Sequence, residues 1–319
     1  MPKLSVFIAE PFPEAACAVI RDIAEVRLGV ADRAYTEEEL SREVRDVHGL
    51  VVTSRDCVTA RVIEAASRLR VITKSGARPV NVDVEAARKR GIAVTWTPGA
   101  NAVSVAEHTL ALMLAAMRRL PVLTARLRGG GWRDLSILGT ELQGKTIGLI
   151  GLGSVGRQVV RKLRGFDVRI LAHDPFIPSP KLAELGVTPT PLETLLREAD
   201  VVSIHCELTN LTRHLIGAPE LERMKPTAFL VNTARGAIVD EAALDAALSA
   251  RRIAGAALDV FETEPASAAN RLLALDNVVA TPHTAAYTAE ALARETTWAL
   301  EDVRAILLGR PPIHWTPAD

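Results

Sequence analysis

Three polar side chains in the last third of the chain are of the types needed to oxidise a 2-hydroxy acid: Arg235, Glu264 and His283. An arginine presents a planar fork that grips a carboxylate through two hydrogen bonds. A histidine takes the hydroxyl proton as hydride leaves, and returns it in the reverse direction. A carboxylate beside the imidazole fixes its orientation and favours the imidazolium. Each type alone is common in structural ion pairs, so the prediction depends on where the chain places all three.

Each of these residues follows a short run typical of a buried parallel strand. The three runs span residues 228–232, 254–260 and 278–280. In open α/β sheets, ligands bind beyond the carboxyl ends of the strands. We therefore predict that Arg235, Glu264 and His283 gather at one edge of a sheet. Glu262 is a competing carboxylate in the same segment as Glu264.

The rest of the chain also alternates between strand-like and helix-like segments. Six further strand-like runs span residues 4–9, 49–53, 71–73, 146–150, 168–173 and 201–205. This alternation predicts parallel α/β units. Aromatic residues make up only 4% of the chain, so the core must be aliphatic, which suits parallel strands buried on both faces.

A glycine-rich turn follows the strand-like run 146–150. Gly151, Gly153 and Gly156 have G-x-G-x-x-G spacing and open a helical run, which is the context that the Rossmann fingerprint requires. The glycines permit a tight turn, close approach of the backbone to a pyrophosphate, and close helix–strand packing. The phosphates then lie at the positive end of the helix dipole. Asp174 ends the next strand and is placed to accept hydrogen bonds from ribose hydroxyls, so we predict NAD rather than NADP.

Composition limits the other possibilities. The chain has 319 residues, which favours two domains. Its 38 basic and 38 acidic residues give a net charge of zero, so no nucleic-acid or anionic-membrane partner is expected. The three cysteines, Cys17, Cys57 and Cys206, are far apart, which predicts neither disulfides nor a metal site and fits a reducing compartment. No signal peptide or apolar segment of membrane-spanning length is present, so we expect a cytoplasmic protein.

Several motifs give the chain a resemblance to the D-isomer-specific 2-hydroxyacid dehydrogenases, the family that includes D-3-phosphoglycerate dehydrogenase and the glyoxylate and hydroxypyruvate reductases. In chain order the motifs are NVDVEAARKRGIAV, VAEHTLALML, ELQGKTIGLIGLGSVGR, LVNTARGAIVDEAAL, ALDVFETEP and TPHTA. The resemblance implies a Rossmann-type parallel-sheet domain inserted in a smaller flavodoxin-like α/β substrate domain. Residues 1–98 and 287–319 would form the substrate domain and residues 101–286 the NAD domain, with the active site in the cleft between them.

The resemblance also implies roles for individual residues. Arg235 would anchor the substrate carboxylate, His283 would be the general acid/base, and Glu264 its partner, because Glu264 precedes Pro265 as the family's glutamate does. The positions that match cofactor contacts, besides the three glycines and Asp174, are Ser154, Val155, Cys206, Thr233 and Asp259. The family is usually dimeric through its cofactor domains, so a homodimer is expected, with residues 103–119 and 132–140 contributing.

The substrate loop departs most from the family pattern G-x-G-x-D-x-[IV]-D. In the run from Gly76 to Asp83, Arg78 replaces a glycine and Val80 replaces an aspartate. Backbone amides near Gly76 and Ala77 are still expected to bind a substrate carboxylate. Arg78 either meets a second acidic group on the substrate or points to solvent. The chain ends at Asp319, so we expect no C-terminal regulatory domain of the kind found in some phosphoglycerate dehydrogenases.

Two alternatives remain from the sequence alone. The same fold hosts NADH-sensing corepressors, and turnover of any 2-keto acid would separate these from an enzyme. A Rossmann enzyme that uses S-adenosylmethionine is compatible with Asp174, but would leave Arg235, Glu264 and His283 unexplained.

Overall fold

The computed structural model describes residues 3–31 and 33–314. The chain forms two units, one comprising Met1–Asn101 with Thr288–Asp319 and the other Ala102–Tyr287. Each unit contains one sheet in which all strand pairs are parallel.

The first unit is built on a five-stranded sheet in the order β2-β1-β3-β4-β5, which is the flavodoxin-like order. Its strands are β1 (Leu4–Ile8), β2 (Ala24–Leu28), β3 (Gly49–Val52), β4 (Val71–Lys74) and β5 (Ala93–Trp96). The helices between them are α1 (Glu14–Cys17), α2 (Glu37–Glu43), α3 (Ala60–Ala65) and α4 (Val84–Lys89). Thr59 and Asp83 immediately precede α3 and α4, and their side chains cap the first turn of each helix.

The second unit contains a seven-stranded sheet in the order β12-β11-β10-β9-β6-β7-β8. The strands are β6 (Thr146–Ile150), β7 (Arg169–His173), β8 (Thr188–Pro189), β9 (Val201–Ile204), β10 (Phe229–Asn232), β11 (Gly255–Leu258) and β12 (Val278–Ala280). The helices are α5 (Ala102–Met117), α6 (Leu120–Arg128), α7 (Ser154–Leu163), α8 (Ser179–Glu184), α9 (Leu192–Glu198), α10 (Ala218–Arg223) and α11 (Glu241–Ser249). Counted from β6, the order is that of a Rossmann fold with one extra strand, and the strand order reverses between β6 and β9.

A final helix, α12 (Ala289–Leu307), belongs to the first unit. Its buried residues Leu300 and Val303 lie in one apolar cluster with Val6 and Val71 of the five-stranded sheet. The two chain ends therefore share one core.

The structure confirms the predicted fold class. All nine predicted strands are present, with ends shifted by at most three residues, while β2, β5 and β8 were not predicted. No helix in the part of the chain that the structure describes is long and apolar enough to cross a membrane.

Candidate active site

His283 and Glu264 form a hydrogen-bonded pair at the carboxyl edge of the seven-stranded sheet. His283 Nδ1 lies 2.7 Å from Glu264 Oε2. The other carboxylate oxygen, Oε1, accepts a hydrogen bond from the backbone N–H of Phe261 at 3.0 Å, which fixes the carboxylate plane. Because a carboxylate only accepts, it holds the proton of the neutral imidazole on Nδ1. His283 Nε2 is thereby left for a substrate, and the side chain is 48% exposed.

The competing carboxylate, Glu262, has a different partner. Its Oε1 lies 2.6 Å from Nε2 of His214, and its backbone N–H donates to Glu241. The segment after β11 thus presents two glutamates to two histidines, and Glu264 is the one beside His283.

Arg235 follows β10 and is exposed. Asn232 Nδ2 donates to the carbonyl oxygen of Arg235 at 2.9 Å and so holds the turn that carries it. The next residue is Gly236, where a Cβ would overlap the backbone of Phe261 and Glu262. Only glycine allows the Arg235 turn to lie against the segment that carries Glu264. Since β10, β11 and β12 are adjacent, the three predicted residues follow three neighbouring strands.

Asp259 follows β11 and is fully buried. Its carboxylate accepts hydrogen bonds from the hydroxyl of Thr281 at 2.6 Å and from the backbone N–H groups of Thr284 and Ala285, each at 2.9 Å. Burial raises its pKa, but hydrogen bonds from His108, from Thr281 and from these amides outweigh burial and hold the pKa below its usual value. Asp259 is therefore an ionised side chain inside the protein, directly behind the turn that carries His283.

The glycine-rich turn lies where the strand order reverses. Gly151 has φ +91°, and a Cβ there would lie 2.6 Å from the backbone nitrogen of Cys206, at the end of β9. A Cβ at Gly156 would overlap the carbonyl oxygen of Gly151, so glycine lets α7 approach the turn. By contrast, no protein atom lies within 4 Å of the Cβ position at Gly153, the residue that precedes α7.

Asp174 lies beside this turn. Its carboxylate accepts hydrogen bonds from the backbone N–H of Leu152 at 2.8 Å and of Phe176 at 3.0 Å. Burial raises the pKa of the nearby Cys206 thiol to about 11, with smaller contributions from the charges of Asp174 and Glu207. The predicted adenosine-side residues Asp174 and Cys206 thus lie close enough to interact electrostatically.

The other predicted cofactor positions also lie at this edge of the sheet. Ser154 and Val155 are the first two residues of α7, where backbone N–H groups have no acceptor within the helix. Thr233 follows β10, and its hydroxyl lies 2.9 Å from that of Thr109 on α5. Since Thr109 donates to the carbonyl of Val105, the Thr233 hydroxyl donates to Thr109 and keeps its own lone pairs free to accept.

The predicted substrate loop belongs to the first unit and follows β4. Gly76 has φ +99°, and its backbone N–H donates to the Thr97 hydroxyl at 2.7 Å. The Gly76 amide is therefore already engaged, while Ala77 and Arg78 are exposed. Burial raises the pKa of Glu295 on α12, which lies beneath Gly76 near Lys74.

The chain has clear counterparts among known proteins. Residues 110–285 match the family model described as "D-isomer specific 2-hydroxyacid dehydrogenase, NAD binding domain". The chain belongs to this family. It is 42% identical over 311 residues to D-3-phosphoglycerate dehydrogenase of Archaeoglobus fulgidus, covering 97% of this chain and 58% of that protein. It is 40% identical to hydroxypyruvate reductase of Thermotoga maritima over 296 residues, which are 92% of this chain and 95% of that protein.

A solved structure shares the whole fold. The TT0316 protein from Thermus thermophilus superposes with a TM-score of 0.91 and 38% identity, covering 98% of this chain and 99% of that one. The chain spans only 58% of the length of the D-3-phosphoglycerate dehydrogenases of Archaeoglobus fulgidus and Methanocaldococcus jannaschii.

As in other D-2-hydroxyacid dehydrogenases, the cofactor of the second unit is NAD, and its residues fit that dinucleotide. Gly153 offers an open cradle at the start of α7, and the Asp174 carboxylate lies at the adjacent strand end. In Rossmann folds, groups of these kinds hold a pyrophosphate and an adenosine ribose. Within the described residues, no cluster of three His, Cys, Asp or Glu side chains is arranged to hold a metal ion.

Two residues of the site were not predicted from the sequence. His108 on α5 has Nε2 at 2.9 Å from the Thr281 hydroxyl and at 3.5 Å from Asp259 Oδ1. Thr281 in turn donates to Asp259. His108 lies in the helical motif VAEHTLALML between Glu107 and Thr109, ahead of an apolar run.

Proposed function

We propose that the protein is an NAD-dependent oxidoreductase that interconverts a D-2-hydroxy acid and its 2-keto acid. The observation that carries the proposal is the 2.7 Å contact between His283 and Glu264 in a domain of the NAD-binding family. A cofactor-binding protein without chemistry has no need of an exposed imidazole whose tautomer is fixed by a carboxylate.

Each residue of the site has a distinct task in this reaction. Arg235 binds the substrate carboxylate through its guanidinium fork and so orients the neighbouring carbon. When bound, NADH supplies the hydride that reduces the keto carbon. His283 gives the Nε2 proton to the carbonyl oxygen in this direction and takes it back from the hydroxyl in oxidation. Glu264 keeps the imidazole oriented and stabilises its charged form.

We assign substrate selection to the first unit, Met1–Asn101 with Thr288–Asp319, and in particular to the loop of Gly76, Ala77 and Arg78. Arg78 is exposed at a position where the family commonly has glycine. Asn81 ties this loop to the one after β3, because its Nδ2 donates to the carbonyl of Thr53 at 2.7 Å. Arg55 belongs to that loop, and its Nε lies 3.5 Å from Glu10 Oε1. The Arg78 guanidinium favours a substrate with a second acidic group, such as a phosphate or another carboxylate.

NADH oxidation against a panel of 2-keto acids tests the proposal. The panel contains glyoxylate, hydroxypyruvate, pyruvate, 2-ketoglutarate and phosphohydroxypyruvate, each with wild-type protein and with Arg78→Ala. We expect turnover of at least one acid, and a selective loss for the doubly acidic substrates in Arg78→Ala. No turnover of any acid would contradict the assigned reaction, and equal kinetics in the two proteins would contradict the role of Arg78.

We also propose that the protein is a homodimer. The segment from α6 to residue 140 exposes large apolar side chains. Their exposed fractions are 49% for Leu120, 60% for Leu127, 71% for Trp132, 83% for Leu135 and 70% for Leu138. Several large apolar side chains exposed in one segment are typical of an interface. Light scattering after size exclusion should give twice the mass of the chain, and Leu135→Asp with Leu138→Asp should halve it.

The cysteines support a cytoplasmic location. All three are free thiols, and Cys57 is exposed. An exposed free thiol persists best in a reducing compartment. Fractionation of the source cells with an antibody should recover the protein with cytoplasmic markers.

A further inference from the structure

The turn that carries His283 has a backbone conformation that needs support. His283 has φ +54°, in the left-handed region that side chains other than glycine rarely adopt. Such a conformation costs about 1–3 kcal/mol and persists only where surrounding contacts impose it. The position of the imidazole therefore depends on what holds residues 281–285.

One residue holds most of that turn. The backbone N–H of His283 donates to the carbonyl oxygen of Asp259 at 2.7 Å. The next two N–H groups, of Thr284 and Ala285, donate to the Asp259 carboxylate. Three consecutive amides thus end on a single buried residue, which draws the turn against the end of β11.

The carboxylate of Asp259 is itself fixed through Thr281 and His108. The Thr281 hydroxyl has one hydrogen, which it donates to the ionised Asp259 carboxylate at 2.6 Å. The Thr281 oxygen must then accept from His108 Nε2, 2.9 Å away. His108 consequently carries a proton on Nε2 and connects α5 to the turn.

We propose that His108, Thr281 and Asp259 form a hydrogen-bonded positioning chain that sets the position and orientation of the His283 imidazole. The inference rests on the proposed function, since it assigns these residues to the same reaction. Asp259 acts through the backbone of the turn, in addition to any contact with the cofactor. His108 and Thr281 are positioning residues: their side chains contact each other and Asp259, and the Thr281 carbonyl oxygen also accepts from the His283 backbone N–H at 3.1 Å. A displaced imidazole would slow proton transfer while leaving the NADH site intact.

Paired substitutions separate the hydrogen bonds from the shape of the side chains. Thr281→Val removes the hydroxyl and Thr281→Ser keeps it. His108→Leu removes the Nε2 donor, and His108→Gln offers an amide N–H at about the same place. For each variant we would measure kcat and KM for the best keto acid, the Kd of NADH by fluorescence, and amide hydrogen exchange of residues 281–287.

Thr281→Val and His108→Leu should lower kcat about 10- to 100-fold, as expected for a misplaced catalytic group. Exchange over residues 281–287 should become faster in both, while the Kd of NADH stays within about twofold. Thr281→Ser and His108→Gln should restore most of kcat and slow the exchange again. Unchanged kcat in the first pair, or equal losses in both pairs, would overturn the inference.

Hydrogen exchange distinguishes this inference from the proposed function. If the wild-type protein reduced no acid in the panel, the proposed reaction would fail and the catalytic part of this inference with it. Even without activity, faster amide exchange of residues 281–287 in Thr281→Val would still support the positioning chain as the structure that holds the turn. Unchanged exchange in both disruptive variants would overturn this role whatever the activity.

Discussion

Glu264 and His283 meet through a single hydrogen bond of 2.7 Å between Oε2 and Nδ1, although nineteen residues separate them in the chain. They follow adjacent strands, β11 and β12, and each is held by a second contact. Glu264 is fixed by the Phe261 amide, and His283 by the carbonyl of Asp259. The imidazole therefore reaches the substrate side with its tautomer already determined.

Replacing Glu264 with glutamine should impair turnover without weakening NADH binding. The amide of glutamine neither holds the Nδ1 proton uniquely nor stabilises the imidazolium, so we expect kcat to fall about 10²-fold. Glu262→Gln is the matched control, because Glu262 pairs with His214 instead. Steady-state kinetics of the two variants check this. Comparable losses of kcat in the two variants would contradict a specific role of the Glu264–His283 contact in turnover.

Replacing Arg235 with lysine should raise the KM of the keto acid about 10- to 100-fold, because an ammonium cannot reproduce the two parallel hydrogen bonds of the fork. The Kd of NADH should stay the same. Arg223→Lys serves as control, since Arg223 lies on α10 and its side chain contacts Pro219 and Glu220 of the same helix. A KM equal to that of the wild type would rule out Arg235 as the carboxylate anchor.

Asp174→Asn should relax the preference for NADH over NADPH. Asparagine keeps an oxygen that accepts from Leu152, so the glycine-rich turn should persist, but the charge that repels a 2′-phosphate is gone. We expect the ratio of kcat/KM for NADPH to that for NADH to rise about tenfold or more. Asp167→Asn, at an exposed position before β7, is the control. An unchanged ratio would mean that another group determines the preference.

His205, after β9, makes stability depend on pH. Burial lowers its pKa from 6.5 to about 4. Between these two pH values, His205 binds a proton in the unfolded chain but not in the folded chain. This contribution of His205 to the free energy of unfolding is fully present above pH 6.5 and is lost as the pH falls towards 4. Between pH 7 and pH 5 the free energy of unfolding should fall by about 2 kcal/mol. Urea unfolding at both pH values should show a smaller loss in His205→Gln. The same loss in both proteins would contradict the assignment.

The sequence predicted the fold class and the main strands because those strands are short aliphatic runs buried on both faces. Two of the three missed strands, β2 and β8, lack this signal. In β2, Glu25 and Arg27 interrupt the apolar pattern, as edge strands often require. In β8, only Thr188 and Pro189 pair with β7. Neither contains enough apolar residues to be recognised by pattern.

The site residues were predictable where a strand end or a motif marked them, as for Arg235, Asp174 and His283. The choice between Glu262 and Glu264 rested on the resemblance, and the contacts seen here are what separate the two carboxylates. His108 was missed because its partner Thr281 lies 173 residues away, and no local pattern encodes that contact. The engagement of the Gly76 amide by Thr97 was missed for the same reason.

The most direct test of the account compares NADH oxidation by wild-type protein and His283→Ala, using the keto acid that the panel selects. General acid catalysis by His283 predicts a fall in kcat of about 10²–10⁴-fold. The Kd of NADH should remain within about twofold, because the glycine-rich turn and Asp174 are untouched. A variant that keeps wild-type kcat, or one that loses NADH binding together with activity, would contradict the role assigned to His283.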